Sequence, residues 1–483
     1  MTGEGLNQMI RKESFVVRTE QKVEEAVEMR PACAEGTGRN PGEYASGAYV
    51  CPRTGGDSNP EAQELLEQIV APENMRKAWK QVKRNKGGSG VDGRTIDETS
   101  ILLRQHWKEI KERLLGGTYQ PQPVQRVEIP KPGGGVRKLG VPTVLDRQIQ
   151  QAVYQILSPL FEPGFCETSY GFRPGRSAHD AVLKARDYQR DGKRWVVDMD
   201  LKAFFDEVDH DILMGRVRRK VKDKRVNRLI NLYLKAGVLT TEGVEATGKG
   251  TPQGGPLSPL LSNILLDDLD QELERRGHSF CRYADDCNIY VRSRRSGERV
   301  LDSVSRYVEG KLKLKVNVQK SAVDRPWKRS FLGYSFTNHR NPKIRVPATS
   351  VKRFRQNLKE LFRMGRGRNL RRFINEMLNP VLRGWINYFR LSETKGFAEE
   401  LDGWVRRRLR LILWRQWKRW RTRYKRLVAR GLAEARARKS ACNGRGAWWN
   451  SGASHMNDAF RKKYFDELGL VNLLTTLLSS RTA

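Results

Sequence analysis

Two adjacent carboxylates, Asp285 and Asp286, stand between two runs of strand-forming residues, and few folds can house such a pair. Phe280, Cys281, Arg282 and Tyr283 precede them; Cys287, Asn288, Ile289, Tyr290 and Val291 follow. Aromatic and β-branched runs favour strands, and Ala284-Asp285-Asp286 favours a tight turn. The stretch therefore reads as a short β-hairpin with two acids at its tip. Neighbouring carboxylates repel, so a half-buried pair needs a counter-charge, and an oxygen-rich cluster of this kind suits Mg²⁺. Asp-Asp pairs also occur in solvated turns, so the hairpin alone does not decide between them.

A second acidic strand bears on that choice. Trp195-Val196-Val197-Asp198-Met199-Asp200 begins as a strand, and alternation puts Asp198 and Asp200 on one face. Aspartate is depleted from strands, so two on one face mark a solvated edge or a metal site. Burying them without a cation would be costly. Taken with the Asp285-Asp286 turn, the metal reading is favoured.

Charge supplies the partner class. Lys and Arg number 91 against 55 Asp and Glu, a formal net charge of +36 over 483 residues. Such an excess implies a polyanionic partner and steeply salt-dependent binding. The length implies two to four domains. No apolar run approaches a membrane span, so no membrane partner is expected. The N-terminus lacks a basic-then-apolar leader, and the six cysteines form no Cys-x-x-Cys pair. Secretion, a disulfide scaffold and a zinc site are therefore not expected, and a reducing cytoplasm fits.

Along the chain, residues 1–60 show no sustained period and read as a leader, flexible and without an assigned role. Helical periodicity covers 59–85 and 101–115. Residues 127–142 read as two strands joined by a glycine-rich turn that presents Lys131, Arg137 and Lys138, either as surface cations or as a grip on a triphosphate. A helix spans 146–160, and Ser177 is placed to cap another over 178–191. Gly250-Thr251-Pro252-Gln253-Gly254-Gly255 leads into an apolar helix; its small residues would let a ligand or template approach the backbone. Short strands are expected over 312–318 and 331–336. From 350 the segments become long, basic and helical, with Pro380 at a helix start. Residues 404–432 read as one phosphate-tracking helix carrying Arg406, Arg407, Arg408, Arg415, Lys418 and Arg419 among Trp414, Trp417 and Trp420. Residues 444–452 read as a loop and 459–474 as helical. No internal repeat is present.

The ordered set of blocks resembles the bacterial group II intron-encoded reverse transcriptase and maturase family. The blocks are Arg137-Lys138-Leu139-Gly140-Val141-Pro142-Thr143, Ser169-Tyr170-Gly171-Phe172-Arg173-Pro174-Gly175-Arg176-Ser177, Asp200-Leu201-Lys202-Ala203-Phe204-Phe205-Asp206, Thr251-Pro252-Gln253-Gly254-Gly255, Tyr283-Ala284-Asp285-Asp286 and Phe331-Leu332-Gly333-Tyr334. Gly384-Trp385-Ile386-Asn387-Tyr388-Phe389 is similar to the maturase thumb signature. The likeness covers roughly 74–474.

The resemblance implies an α+β right-hand polymerase: fingers and palm over 61–345, an α-helical thumb or maturase domain over 346–435, and a small C-terminal DNA-binding region over 436–483. It implies that Asp200, Leu201, Asp285 and Asp286 hold two Mg²⁺ ions, about 4 Å apart in two-metal sites, with the three aspartates catalytic. Lys131, Arg137, Phe205, Gln253, Gly254 and Lys320 would meet the nucleotide, with Phe205 gating the sugar. Arg173, Arg176 and the basic helix would meet nucleic acid. Asp200 is preferred to Asp198 because its spacing to Phe205 fits the family pattern. The implied partners are the group II intron RNA, in a ribonucleoprotein with the lariat, target DNA and deoxynucleoside triphosphates, in a bacterial cytoplasm and at the nucleoid. The implied function is RNA-directed DNA synthesis combined with splicing and target-primed retrohoming. With Cys442 alone among cysteines near the C-terminus, an HNH nuclease domain is not expected, a class C-like pattern. A splicing factor with a decayed polymerase site, or a free-standing polymerase recruited to host defence, remains an alternative.

Overall fold

The computed structural model describes residues 64–130, 136–241 and 243–481. The leader expected over 1–60 and the nucleotide contact expected at Lys131 lie outside the described residues. The chain divides into two compact units, one of residues 1–185 and 193–324, the other of 186–192 and 325–483. The division falls at 324/325, so residues 325–345, expected with fingers and palm, fall within the helical unit.

The first unit carries two four-stranded sheets. One has the order β2-β1-β4-β5, with β1 Val124–Pro130, β2 Val136–Val141, β4 Val238–Thr240 and β5 Gly243–Glu245. β1 and β2 run antiparallel from Gln125 opposite Val141 to Pro130 opposite Val136, the expected hairpin. The other sheet has the order β6-β7-β3-β8, with β3 Trp195–Asp200, β6 Ser279–Tyr283, β7 Asp286–Val291 and β8 Ala322–Asp324. Alternation along β3 sends Val197 and Met199 into the core and leaves Asp198 and Asp200 half-buried on the other face. The helix Ser258–Arg275 joins that core through Leu260, Leu261, Ile264, Leu265, Leu269 and Leu273.

Buried polar groups tie the elements together. Asp146, 1% exposed on the helix Val144–Phe161, accepts hydrogen bonds from the hydroxyls of Thr143 (2.7 Å), Tyr119 (2.8 Å) and Tyr233 (3.2 Å). Each donor comes from a different segment, so one buried carboxyl fixes three backbone paths; a buried polar group survives only when so satisfied.

The second unit is mainly helical. Phe354 of the helix Ala348–Met364 stacks on Trp385 of the helix Asn379–Tyr388, centroids 4.3 Å apart. Asp402 on the helix Gly396–Gln416 accepts the backbone N–H groups of Leu473 and Leu474 at 2.9 and 3.0 Å, satisfying the start of the helix Leu473–Ser479.

Four expected elements differ. Residues 312–318 are not a strand: a π-helical turn Val308–Leu312 ends at Lys313 in the left-handed region, and only Val316 bridges to Leu201. Their alternation reflects burial of Leu312, Leu314 and Val316, not regular pairing. Of 331–336 only Ser335–Phe336 (β9) is a strand, paired with β10 Ile344–Arg345. The basic segment 404–432 is two helices, Gly396–Gln416 and Trp420–Val428, because buried Trp417 leaves helical geometry and its carbonyl takes the Arg423 Nε–H at 2.9 Å. Residues 444–452 contain the helix Ala447–Gly452, pinned by the fully buried Asn450.

On the helix Ser258–Arg275, burial and the charge of Asp270 push the Asp267 carboxyl up to about 6. A carboxyl raised on folding is stabilising in its protonated form, so its cost appears as pH rises from 3.8 and is complete above about 6. Asp267→Asn is expected to raise Tm above pH 6 and to leave it unchanged below pH 4, as read by thermal unfolding across that range.

Candidate active site

The carboxylates of the two acidic strands come together through register. β3 and β7 pair antiparallel with Asp200 opposite Asp286 and Asp198 opposite Asn288. β6 and β7 close with Tyr283 opposite Asp286, which leaves Ala284 and Asp285 as the turn. Asp198 lies further inside the sheet, between Asn288 on β7 and Ala322 on β8, so Asp200 is the residue that meets the hairpin tip. Burial and the charge of Asp200 raise the Asp285 carboxyl above its ordinary range, with Arg137 and Arg282 pulling it back.

Asp200 is held from a segment the sequence placed differently. Asn317 Nδ2 donates to its carboxylate at 3.1 Å, and Lys320 Nζ lies 3.5 Å away. The Ser321 hydroxyl accepts the Asp200 N–H at 3.0 Å. Lys320, expected at the nucleotide, thus sits beside the acid itself, in a salt bridge open to solvent.

The hairpin tip rests on a group the sequence analysis did not single out. Arg282, 1% exposed, forms a bidentate pair with Asp270 at 2.7 and 2.5 Å. Its remaining donors go to Asn263 Oδ1 (3.1 Å), Ser169 Oγ (2.7 Å) and the carbonyl of Ala284 (2.9 Å), the residue before the Asp285-Asp286 pair. Ala284 has φ +56°, a left-handed conformation that needs such support. Gly171 packs against it; a Cβ there would fall 2.3 Å from the Ala284 nitrogen. Asn263 Nδ2 in turn donates to the Gly171 carbonyl at 2.8 Å. The only signal in the sequence was an Asp inside an apolar helix and an Arg inside a strand, twelve residues apart, and nothing there pairs them.

The remaining expected pocket residues assemble in the same unit. Phe205 is half-buried, edge-on to Phe204 at 5.1 Å, and its carbonyl takes the Thr251 N–H at 2.7 Å. Gly250, at φ +92°, allows that contact: a Cβ would sit 2.9 Å from the Phe205 oxygen. Gly140 on β2 donates to the Gln253 carbonyl at 2.8 Å, and Gly254, at φ +119°, lies against the Gly140 carbonyl. The glycine loop thereby joins the strand that bears Arg137 to the segment that bears Phe205.

The donor set has the chemistry of an Mg²⁺ site: carboxylate oxygens at strand ends, crowded enough that Asp200 opposes ionisation of Asp285. Leu201 is 5% exposed and in the core, so only its main-chain oxygen could join them. Among the described residues no group of three His, Cys, Asp or Glu side chains is arranged to hold a metal ion. Mg²⁺ is held by one or two carboxylates plus substrate phosphates, so an open arrangement of this kind fits it.

Of the two arginines of this turn expected at nucleic acid, one is buried and one is half-buried. Arg173 is 3% exposed; it pairs with Glu162 and donates to the carbonyls of Cys166 (2.5 Å) and Ser169 (2.8 Å), so it holds the turn and does not face solvent. Arg176 donates to the Glu167 carbonyl at 2.5 Å over the Tyr170 ring. In the second unit Arg406, Arg407 and Arg408 are half-buried, whereas Arg415, Lys418 and Arg419 are exposed. Trp414 and Trp417 are core residues, 2% and 7% exposed, and Trp420 alone of the three stands out at 43%.

Arg282→Ala would leave Asp270 buried without its partner; a loss of about 3–5 kcal/mol in unfolding free energy is expected, read by denaturant titration. Neutralising Arg415, Lys418 and Arg419 together is expected to weaken RNA binding and to reduce the slope of log K against log salt by about 0.7 per lost phosphate contact.

Comparison with known proteins bears on the same residues. Residues 129–336 match the family described as reverse transcriptase (RNA-dependent DNA polymerase), and residues 351–431 match the group II intron, maturase-specific domain. Protein YkfC of Escherichia coli (strain K12) is 34% identical over 307 residues, covering 55% of this chain and 81% of that protein. The group II intron-encoded protein LtrA of Lactococcus lactis subsp. cremoris is 42% identical over 208 residues, 43% of this chain. That match spans 34% of the length of LtrA. An uncharacterized 91 kDa protein in the cob intron of Schizosaccharomyces pombe is 35% identical over 205 residues, 42% of this chain and 25% of its own length.

Proposed function

The chain belongs to the group II intron-encoded reverse transcriptase and maturase family, and on that premise we propose that it copies its own intron RNA into DNA during target-primed retrohoming and assists the splicing of that RNA. The observation that carries the polymerase reading is the register of Asp200 opposite Asp286, with Asp285 at the adjoining tip. A chain retained only for splicing would have no need to keep three carboxylates at mutual electrostatic cost.

The chain's own groups divide the work. Asp200, Asp285 and Asp286 concentrate negative charge at one sheet edge, where a hydrated divalent cation is the natural counter-ion. Two Mg²⁺ ions bound there would supply activation of the primer 3′-hydroxyl and charge stabilisation at the departing pyrophosphate. Arg137 on β2, close enough to Asp285 to oppose the rise of its carboxyl, gives the triphosphate a fixed fork of donors. Lys131 is assigned to the same phosphates. Phe205 presents a ring edge to the sugar, and the Gln253-Gly254 backbone forms a close floor for the base. Positioning and charge account for most of what phosphoryl transfer asks of a protein. Intron RNA and target DNA are assigned to the basic helices of the second unit and to the segment 436–483, and the protein is assigned to the bacterial cytoplasm and nucleoid, where those partners lie.

Asp285→Ala with Asp286→Ala is expected to abolish primer extension on an RNA template while intron RNA binding persists. Chelation of divalent cations should silence the wild type in the same way, with activity returning on addition of Mg²⁺. DNA synthesis by the double variant at the wild-type rate would remove the assignment.

A further inference from the structure

Trp448 and Trp449 are 40% and 47% exposed, side by side at the start of the helix Ala447–Gly452. Large aromatic surface in water is costly unless something covers it. Here cations lie over the rings. The Arg407 guanidinium lies 3.9 Å from the Trp448 ring centre, and that of Arg408 lies 4.7 Å from it. The Arg445 guanidinium lies 4.7 Å from the ring of Trp449.

The arrangement is built, not loose. Asn450 is fully buried and exchanges amide hydrogen bonds with Asn443 at 2.8 and 3.0 Å, while also donating to the Arg445 carbonyl at 2.8 Å. The Ser451 hydroxyl donates to the Trp448 carbonyl at 2.7 Å, and Arg407 donates to the same oxygen at 3.2 Å. Gly452 makes room for Arg407: a Cβ there would sit 2.7 Å from its guanidinium carbon. The cations are crowded as well. Burial and the charges of Arg415, Arg407 and Arg366 lower the Arg408 guanidinium from its ordinary range, so an anion arriving here is favoured.

We infer that Trp448 and Trp449 form a stacking platform for unpaired bases of a single-stranded nucleic acid, whose phosphates are met by Arg407, Arg408 and Arg445. Guanidinium groups set against indole rings match the alternation of phosphate and base along a single strand, whereas the bases of a duplex are already stacked on each other. The inference deepens the reading that this part of the chain engages nucleic acid, and rests on it. It states which form of nucleic acid is bound and by which surface.

The test is direct binding to the full chain, in chelator and without nucleotides, so polymerisation plays no part. A failed platform and a failed polymerase assignment are thus read separately. The probes are a labelled oligothymidylate, the matching oligouridylate and a DNA duplex of equal length. Trp449→Ala and Trp448→Ala are each expected to weaken single-strand binding by about 5- to 150-fold, the range of one lost stack. Trp449→Phe should recover most of the loss, and duplex binding should change less than about twofold for a stacking contact. A loss on either single-stranded polymer supports the inference, and the larger loss tells DNA from RNA. Wild-type indole fluorescence should be quenched by the oligonucleotide. Should Trp448→Ala unfold the protein, the Trp449 pair alone carries the comparison. Equal losses on duplex and single strand, or no loss on either, would overturn it.

Discussion

Like charges brought into register are the constraint that the first unit is built around. Asp200 and Asp286 face each other because β3 and β7 pair antiparallel, and Asp285 follows because the hairpin turns at that point. Such an edge repels itself and gains nothing from packing. Its geometry has to be imposed from beneath, and the structure does so with an opposite charge in the core. Arg282 and Asp270 form a buried pair whose spare donors reach Ser169, Asn263 and the Ala284 carbonyl. Buried ion pairs contribute little net stability against apolar substitutes but are expensive to break. This one fixes the direction of a turn in an uncommon backbone conformation.

The glycine positions follow from the same requirement. Gly171 lies against the turn with no room for a side chain, and Gly250 and Gly254 bring the loop against Phe205 and β2. Each removes a Cβ where two backbones meet. The site is therefore an assembly of close main-chain contacts from five segments far apart in the chain, and the carboxylates project from it.

The second unit uses its charge differently. Arginines that look from the sequence like a uniform phosphate-facing stripe are sorted by the fold. Arg410 is buried on the Phe460 carbonyl, and Arg407 and Arg408 lie over the Trp448 ring. Arg415, Lys418 and Arg419 remain in water. An arginine can act as a packing plane as well as a charge, so counting cations along a helix overstates the number available to a polyanion.

The amino-acid sequence by itself determined the two acidic strands, the hairpin, the helical second half and the family blocks. Each depends on local signals: alternation, turn residues and order along the chain. It erred at 312–318 and over 404–432, because burial produces strand-like alternation without pairing partners, and because helical periodicity continues past a buried tryptophan that ends the helix. The family likeness preferred Asp200 to Asp198 by spacing alone, and the tertiary structure supplied the physical reason that Asp200 meets the hairpin, since strand register is a relation between segments. Only the tertiary structure revealed Arg282 as the support of the tip and took Arg173 out of solvent. A buried polar residue is identified by the partners that satisfy it, and those partners lie up to 113 residues away in the chain.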